Sequence, residues 1–346
     1  MATPKHILVS RTDKIGDLLC SLPVFQTLRE AFPQARLTAL VRPYTRELVQ
    51  GHPAVDDVEL LEEGESALQL AARFKKLEAD AFIALYPRPS IAFAAAWAGI
   101  PVRIGTAYRW YSFLFNQKIK VHRSVCDRHE VEYNLDLVAP LGASKLSKKI
   151  NLPLSDNDRS FARDLLKEKG VPSNWRYVVV HPGHRGSALN WKPERYAEVA
   201  GRLIQSGNQV VLTAGAEETE VIAQLKVHLD AMKVDQKPIM IMGESTLKQL
   251  AAVYERADCF LSGSTGTMHL AAAVGTPTVA LFCPIPQTTP VRWGPWGNEA
   301  TVLLPEGLEC PRCRKGVCSQ HDPMDAISTD KVYQAVMKFV QKAGTK

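Results

Sequence analysis

The residues with the most chemistry in them stand in loops between apolar runs. Near the start, Ile7-Leu8-Val9 gives way to Arg11-Thr12-Asp13-Lys14-Ile15-Gly16-Asp17 before a second apolar stretch begins. A carboxylate in such a loop can take the proton of a hydroxyl that attacks an electrophilic carbon. Asp17 stands where a helix should start, and the dipole there favours a negative charge, so a general base and an ordinary cap both fit it. Asp13 is the alternative base. Arg11, Thr12 and Lys14 carry the groups that hold a phosphate or another anion.

Two loops in the second half suit a different task. Cys259-Phe260-Leu261 reads as a strand stopping at Ser262-Gly263-Ser264, and Thr265-Gly266-Thr267 opens a helix that carries His269 in its first turns. Backbone N–H groups and the positive dipole end at a helix start attract anions, and glycine lets a phosphate come close. An ordinary strand-to-helix turn has the same local pattern, and His269 could equally be a core histidine. Tyr177 to Val180 reads as a second buried strand, running into HPGHRGSALNWKPERYAEVA, whose loop holds Gly183, Arg185 and Ser187 ahead of Lys192 and a helix from Pro193. In a doubly wound sheet, two such loops converge on one crevice, where a nucleotide diphosphate would sit. A nicotinamide dinucleotide fits the chain poorly. The first loop, RTDKIGD, has one glycine where the dinucleotide fingerprint needs three, and no Gly-Lys-Ser/Thr P-loop exists.

Taken in order, RTDKIGDLLCSLPVFQTLREAFPQARLTALVRP, HPGHRGSALNWKPERYAEVA, TAGAEETE and STGTMHLAAAVGTP resemble the ADP-heptose:lipopolysaccharide heptosyltransferases and their relatives in glycosyltransferase family 9. The resemblance covers most of the chain. It implies a GT-B architecture, two Rossmann-like doubly wound domains facing a central cleft, with the acceptor in the first and a nucleotide-sugar donor in the second. It places the catalytic aspartate at Asp17 and a ribose-binding carboxylate at Glu218, with Glu217 as the alternative. Donor contacts then fall on Gly183, Arg185, Ser187, Lys192, Glu218, Ser264, Thr265, Gly266, Thr267 and His269. The implied activity is inverting, metal-independent transfer of a sugar, a heptose from ADP-heptose, to the lipopolysaccharide core, with no cofactor. A nucleotide-sugar epimerase on the same fold and a non-catalytic nucleotide-binding scaffold are the alternatives.

Two positions depart from the family pattern. Ser264 stands where heptose-using members carry an aspartate, and one hydroxyl cannot offer a diol the two acceptor oxygens of a carboxylate. Leu189 stands where many relatives have a lysine, and Arg185 or Lys192 can supply the missing charge. Cys310, Cys313, Cys318 and His321 have zinc-like types and spacing. Relatives also carry cysteines in this loop without an evident catalytic metal, so no metal is expected.

The elements that must position these loops follow from the alternation of strand-like and helix-like segments, which argues for parallel sheets. Strands are expected near residues 6–10, 36–41, 81–86 and 102–105 in the first half. In the second half they are expected near 177–181, 208–213, 238–242, 258–262 and 277–282. Helices are expected near 16–31, 65–78, 89–98 and 129–139, then 193–206, 217–229, 246–255 and 265–274. The reading is an acceptor-side domain over 1–160 and a donor-binding domain over 161–346. A final amphipathic helix near 328–342 is of the kind that packs back on the first domain in GT-B proteins.

The chain has 346 residues, enough for two domains, with 46% hydrophobic and 23% charged residues. No apolar run reaches the length needed to cross a bilayer. The strand-like Ile7-Leu8-Val9 follows the N-terminus so closely that no signal peptide fits, and seven scattered cysteines suit a reducing compartment. The expectation is a cytoplasmic protein that works at the inner face of the inner membrane. The net charge of +6 points to anionic partners. Its distribution matters more. From Ala81 to Cys126 there is no acidic residue, while Arg88, Arg103, Arg109, Lys118, Lys120 and Arg123 alternate with Tyr108, Trp110, Tyr111, Phe113 and Phe115. A solvated basic face beside core aromatics accounts for this. So does a rim for an anionic amphiphile such as lipid A–core, with Arg103 and Arg109 on the acceptor side. No nucleic acid is called for.

Overall fold

The computed structural model describes residues 3–172, 176–184, 186, 188–306 and 322–345. The chain divides into two compact units, Met1–Pro153 and Leu154–Lys346. Residue 160 lies inside the first helix of the second unit.

The first unit runs β1 (His6–Ser10), α1 (Ile15–Leu19), α2 (Leu22–Ala31), β2 (Arg36–Val41), β3 (Asp57–Leu60), α3 (Ala67–Leu77), β4 (Ala81–Ala84), α4 (Pro89–Trp97), β5 (Val102–Thr106), β6 (Gln117–Ile119) and α5 (Glu130–Asp136). Its sheet has the order β3-β2-β1-β4-β5-β6, with every pairing parallel. A parallel sheet is covered on both faces, so its central strands are apolar throughout instead of alternating. Ile7, Leu8 and Val9 of β1 and Phe82 and Ile83 of β4 are fully buried for this reason.

The second unit runs α6 (Asp156–Glu168), β7 (Tyr177–His181), α7 (Pro193–Gln205), β8 (Gln209–Ala214), α8 (Thr219–Ala231), β9 (Ile239–Met242), α9 (Leu247–Glu255), β10 (Cys259–Gly263), α10 (Gly266–Ala273), β11 (Thr278–Leu281), α11 (Pro290–Trp293), β12 (Ala300–Leu303) and α12 (Thr329–Gly344). Its sheet order is β12-β11-β10-β7-β8-β9, again all parallel. Both units therefore share one strand order. Each has a switch point where the order reverses, between β1 and β4 in the first and between β7 and β10 in the second.

Local chemistry sets the helix ends. Ser66 and Gln69 form a reciprocal capping box at the start of α3, and Thr246 and Gln249 do the same for α9. The helix expected over 16–31 is two helices. Ser21 Oγ donates to the Asp17 carbonyl at 2.8 Å, and Pro23 opens α2, so the chain turns at Cys20–Ser21 and leaves α1 a single short segment. Three strands absent from the sequence reading, β3, β6 and β12, are the short, part-exposed sheet edges, where no apolar run marks a strand. The C-terminal α12 lies against α7, β10 and β11 of its own unit. Val332, Val336 and Phe339 seat it in that core. Among the described residues, no helix is long and apolar enough to cross a membrane.

Candidate active site

In the first unit, the turn after β1 lies at the switch point and gathers charge from four segments. Arg11, the first residue beyond β1, is enclosed, with its side chain 2% exposed. Its Nε donates to Asp13 Oδ1 at 2.8 Å, and Nη2 donates to Asp17 Oδ1 at 2.5 Å. Nη1 donates both to Glu130 Oε1 at 3.0 Å and to Asn134 Oδ1 at 2.9 Å, on α5. Arg123 closes the far side, its Nε donating to Glu130 Oε1 at 3.1 Å and Nη2 to Asn134 Oδ1 at 2.9 Å. Asn134 Nδ2 in turn donates to the Cys20 carbonyl at 3.1 Å, which ties α5 to the end of α1. Tyr44 Oη donates to the Asp13 carbonyl.

Burial works against the Arg11 charge, but the pull of Asp13, Asp17 and Glu130 prevails and holds its pKa well above the ordinary value. Burial also raises Asp13, against the pull of Arg11 and with the help of Asp17, to about 7. Burial, then Glu130 and Asp17, push the Cys20 thiol up, so Cys20 stays neutral beside the cluster. Asp17 keeps 19% of its side chain exposed. It is thus a carboxyl group held at Oδ1 by a fixed guanidinium and partly open to solvent.

The expected acceptor-side residues are distributed differently. Arg11 donates to Asp13, Asp17, Glu130 and Asn134, all inside its own unit. Thr12 is buried, and its Oγ1, like Ser10 Oγ, has no hydrogen-bond partner among the described residues. Lys14 is exposed and precedes α1 in extended conformation. The Arg103 guanidinium donates to the backbone carbonyls of Leu114 (2.8 Å) and Ile100 (2.6 Å), so it braces the β5–β6 connection. Arg109 is exposed. Around it the aromatics divide: Tyr111 and Phe115 are core, while Trp110 and Phe113 are 73% and 64% exposed. Phe93 links Trp97 and Trp110, with ring centroids 5.4 and 6.2 Å away.

In the second unit, the loops after β7, β8 and β10 meet at the C-terminal ends of adjacent strands. The Glu218 carboxylate accepts from the Gly215 N–H at 2.8 Å and lies on the open face of Gly183, where an added Cβ would come within 2.1 Å of Oε2. His181 bonds Thr213 through Nδ1 at 2.9 Å and stands 4.0 Å from Glu218 through Nε2. Asn190 bridges the β7 and β10 loops. Its Nδ2 donates to the Pro182 carbonyl at 2.6 Å, its Oδ1 accepts from Tyr196 Oη at 2.8 Å, and that oxygen occupies the space a Gly263 side chain would need. Thr265 Oγ1 bonds Thr267 Oγ1 at 2.6 Å instead of capping α10, and Gly266 opens the helix. His269 is buried, with its ring edge-on to Trp293. Ser264 lies between Gly263 and Thr265 at this rim.

Lys192 is bonded to Asp325 at 2.7 Å, on the segment leading into α12. Leu189 packs against the core of the unit, which explains an apolar residue at that slot. Arg185, Ser187, Cys310, Cys313, Cys318 and His321 lie outside the described residues.

The sequence reading missed Glu130, Asn134, His181 and Asn190. Glu130 reaches Arg11 across 119 positions, and nothing local marks it as buried. Asn190 sits in a stretch already singled out, but its bridging depends on where β10 ends.

Two doubly wound units of one strand order, each with a switch point, make this a protein of the GT-B fold class. The chain belongs to glycosyltransferase family 9 (heptosyltransferase), whose profile matches residues 67–322. A Haemophilus influenzae protein described as a glycosyltransferase is 30% identical, over 97% of each chain. Lipopolysaccharide heptosyltransferase 2 of Escherichia coli K12 is 27% identical, over 95% of this chain and 96% of its own. The structure of E. coli ADP-heptose lps heptosyltransferase II superposes with a TM-score of 0.78, over 98% of this chain and 99% of that one, at 24% identity.

Proposed function

We propose that this glycosyltransferase transfers a heptose from ADP-heptose to the core oligosaccharide of lipopolysaccharide, with inversion at the anomeric carbon and without a metal ion. The observation that carries the reading is Asp17, a part-exposed carboxylate fixed by Arg11 at 2.5 Å on the loop where a general base is expected. In the reaction, Asp17 takes the proton of an acceptor hydroxyl. The freed electron pair forms the new bond to the anomeric carbon, and the bond from that carbon to the diphosphate oxygen breaks. The leaving nucleotide diphosphate departs with its added negative charge. Donors fixed in advance are most effective where such charge develops. Gly183, Arg185, Ser187 and the α10 start at Thr265, Gly266 and Thr267 are assigned to that charge, with His269 beside them and Ser264 toward the sugar. Glu218 is assigned to the ribose hydroxyls, and Lys192 to an outer charge shared with Asp325.

The donor assignment draws on the names of the heptosyltransferase relatives. The acceptor assignment draws in addition on the acid-free face of the first unit, with Lys14 and Arg109 toward the anionic acceptor. A protein with this face would work at the cytoplasmic surface of the inner membrane, where such an acceptor is anchored.

Replacing Asp17 by Ala tests the mechanism. Turnover should fall about 100-fold or more, as expected when a general base is lost, while nucleotide affinity measured by calorimetry stays at the wild-type value. Retained turnover removes Asp17 from the chemistry. A thermal-shift screen over nucleotide diphosphate sugars tests the donor, since a ligand at 100 times its Kd adds about 2.7 kcal/mol to stability.

A further inference from the structure

Two features of the carboxylate cluster have no role in the mechanism above. Asp13 and Asp17 are held side by side on one guanidinium, Asp13 on Arg11 Nε at 2.8 Å and Asp17 on Arg11 Nη2 at 2.5 Å. Two ionised carboxylates set on the same cation repel one another, and one proton between them relieves that repulsion. The charge count points the same way. Arg11 and Arg123 supply two positive charges to Asp13, Asp17 and Glu130, which would carry three negative charges if all were ionised. One proton balances the charges of these five groups.

We propose that Asp13 and Asp17 act as a proton-sharing carboxyl pair, in which Asp17 meets the acceptor hydroxyl and Asp13 is the positioning residue that sets how strongly Asp17 draws the proton. The inference rests on Asp17 being the general base. With one proton in the pair, neutral Asp13 donates to Asp17 and withdraws electron density from it, leaving a weak base. When that proton is lost, two adjacent charges are left on one guanidinium, and the pair as a unit takes a proton up again more readily than a lone carboxylate. The acceptor's proton then enters a pair that binds it far more tightly than an isolated carboxylate does. A base is most effective when its pKa lies near the working pH, and two adjacent carboxylates sharing a site achieve this by mutual repulsion.

The groups bonded to the pair or to its guanidinium come from several elements. Arg11, at the end of β1, touches both carboxyls. Glu130 on α5 competes for the same guanidinium, and Arg123 partly neutralises Glu130. Cys20, just past α1, stays protonated, and Tyr44 donates a hydrogen bond to the Asp13 carbonyl. Lys14 is exposed to solvent between the two aspartates in sequence.

The test uses the intact protein labelled with 13C at aspartate side-chain carboxyls, titrated by NMR or infrared without substrate. One aspartate should gain its proton at a pH of about 7, well above the usual value of about 4 for aspartate. That signal should be absent from Asp13→Asn and should move toward acid in Asp17→Asn. If no aspartate titrates above about pH 6 in the wild type, relative to that usual value, the pair does not exist. If the signal survives unchanged in both variants, it belongs elsewhere and the proposal also fails.

Kinetics separates this role from a merely structural one. Wild-type kcat/KM should rise up to about tenfold between about pH 6 and about pH 8, as expected for loss of one essential proton. Asp13→Asn, which mimics the protonated residue, should stay flat at the acid-side level of the wild type. A variant that loses the same factor at every pH, with the rise preserved, would show Asp13 to be scaffolding. The titration keeps the outcome legible even if Asp17→Ala retains turnover. In that event the base assignment falls while the shared proton is still present or absent on its own terms.

Discussion

Arg11 is the residue on which the first unit's chemistry turns. Its four donated hydrogen bonds go to three carboxyls and one amide, all within its own unit. A planar guanidinium can serve that many acceptors in fixed directions, and a lysine ammonium cannot. Removing it would leave buried carboxylates without their cation, which typically costs about 3–5 kcal/mol. Arg11→Met is therefore expected to lower unfolding stability in urea by that amount at pH 7. Arg11→Lys should lose less stability but most of the turnover, because a point charge does not hold Asp17 in one orientation. An Arg11→Lys enzyme with wild-type kcat would show that the fork geometry is irrelevant. The sequence makes Arg11 look like a ligand for an external anion, since an arginine beside aspartates in a loop has the chemistry for either use. Its enclosure is contributed by Glu130 and Asn134, which lie far along the chain. Asp17's place at a helix start after a buried strand is a local pattern that a cap fits as well as a base, and its assignment as base comes from the family resemblance.

At the scale of elements, the parallel sheets could be read from apolar runs such as Val178-Val179-Val180 because burial on both faces leaves no polar alternation to misread. Edge strands such as Asp57–Leu60 have no such run, and the helix break at Cys20–Ser21 depends on a side-chain bond that periodicity does not register. The junction of the β7 and β10 loops shows how two elements become one rim. Gly263 ends β10 without a side chain, and Asn190 fills the vacated space while gripping the Pro182 carbonyl and Tyr196. Gly263→Ala would set a methyl group 2.2 Å from Asn190 Oδ1, so the amide must leave. Losing its bonds costs about 1–3 kcal/mol where a buried partner is left unmet, and the loop carrying Gly183 loses its tether. Nucleotide diphosphate affinity should drop about tenfold or more, since each 1.4 kcal/mol is a factor of ten. The aspartate titration of the first unit should be unchanged. Unaltered affinity in Gly263→Ala would mean that the tether does not shape the donor site.

For the whole molecule, net charge matters less than where the charge lies. The acid-free stretch from Ala81 to Cys126 supplies cations of two kinds, and the sequence does not distinguish them. Arg103 and Arg123 are internal braces, bonded to backbone carbonyls or to the Glu130–Asn134 pair. Arg109, Lys118 and Lys120 are exposed, on the same stretch as Trp110 and Phe113. Exposed tryptophan and phenylalanine beside cations suit an anionic lipid interface, where rings rest at the headgroup level and basic residues meet phosphate. Replacing Arg109, Lys118 and Lys120 with Gln should therefore leave folding and nucleotide affinity intact. It should weaken sedimentation with vesicles containing anionic lipid and raise KM for a lipid-linked acceptor. Added salt should erase the difference between variant and wild type, because the screening length falls from about 10 Å at 0.1 M to about 3 Å at 1 M. Trp110→Ala with Phe113→Ala should weaken vesicle binding with little dependence on salt, since apolar contact is not screened. If the charge variant and the aromatic variant both match wild type on anionic vesicles at low salt, this face is ordinary solvated surface and the acceptor is met elsewhere.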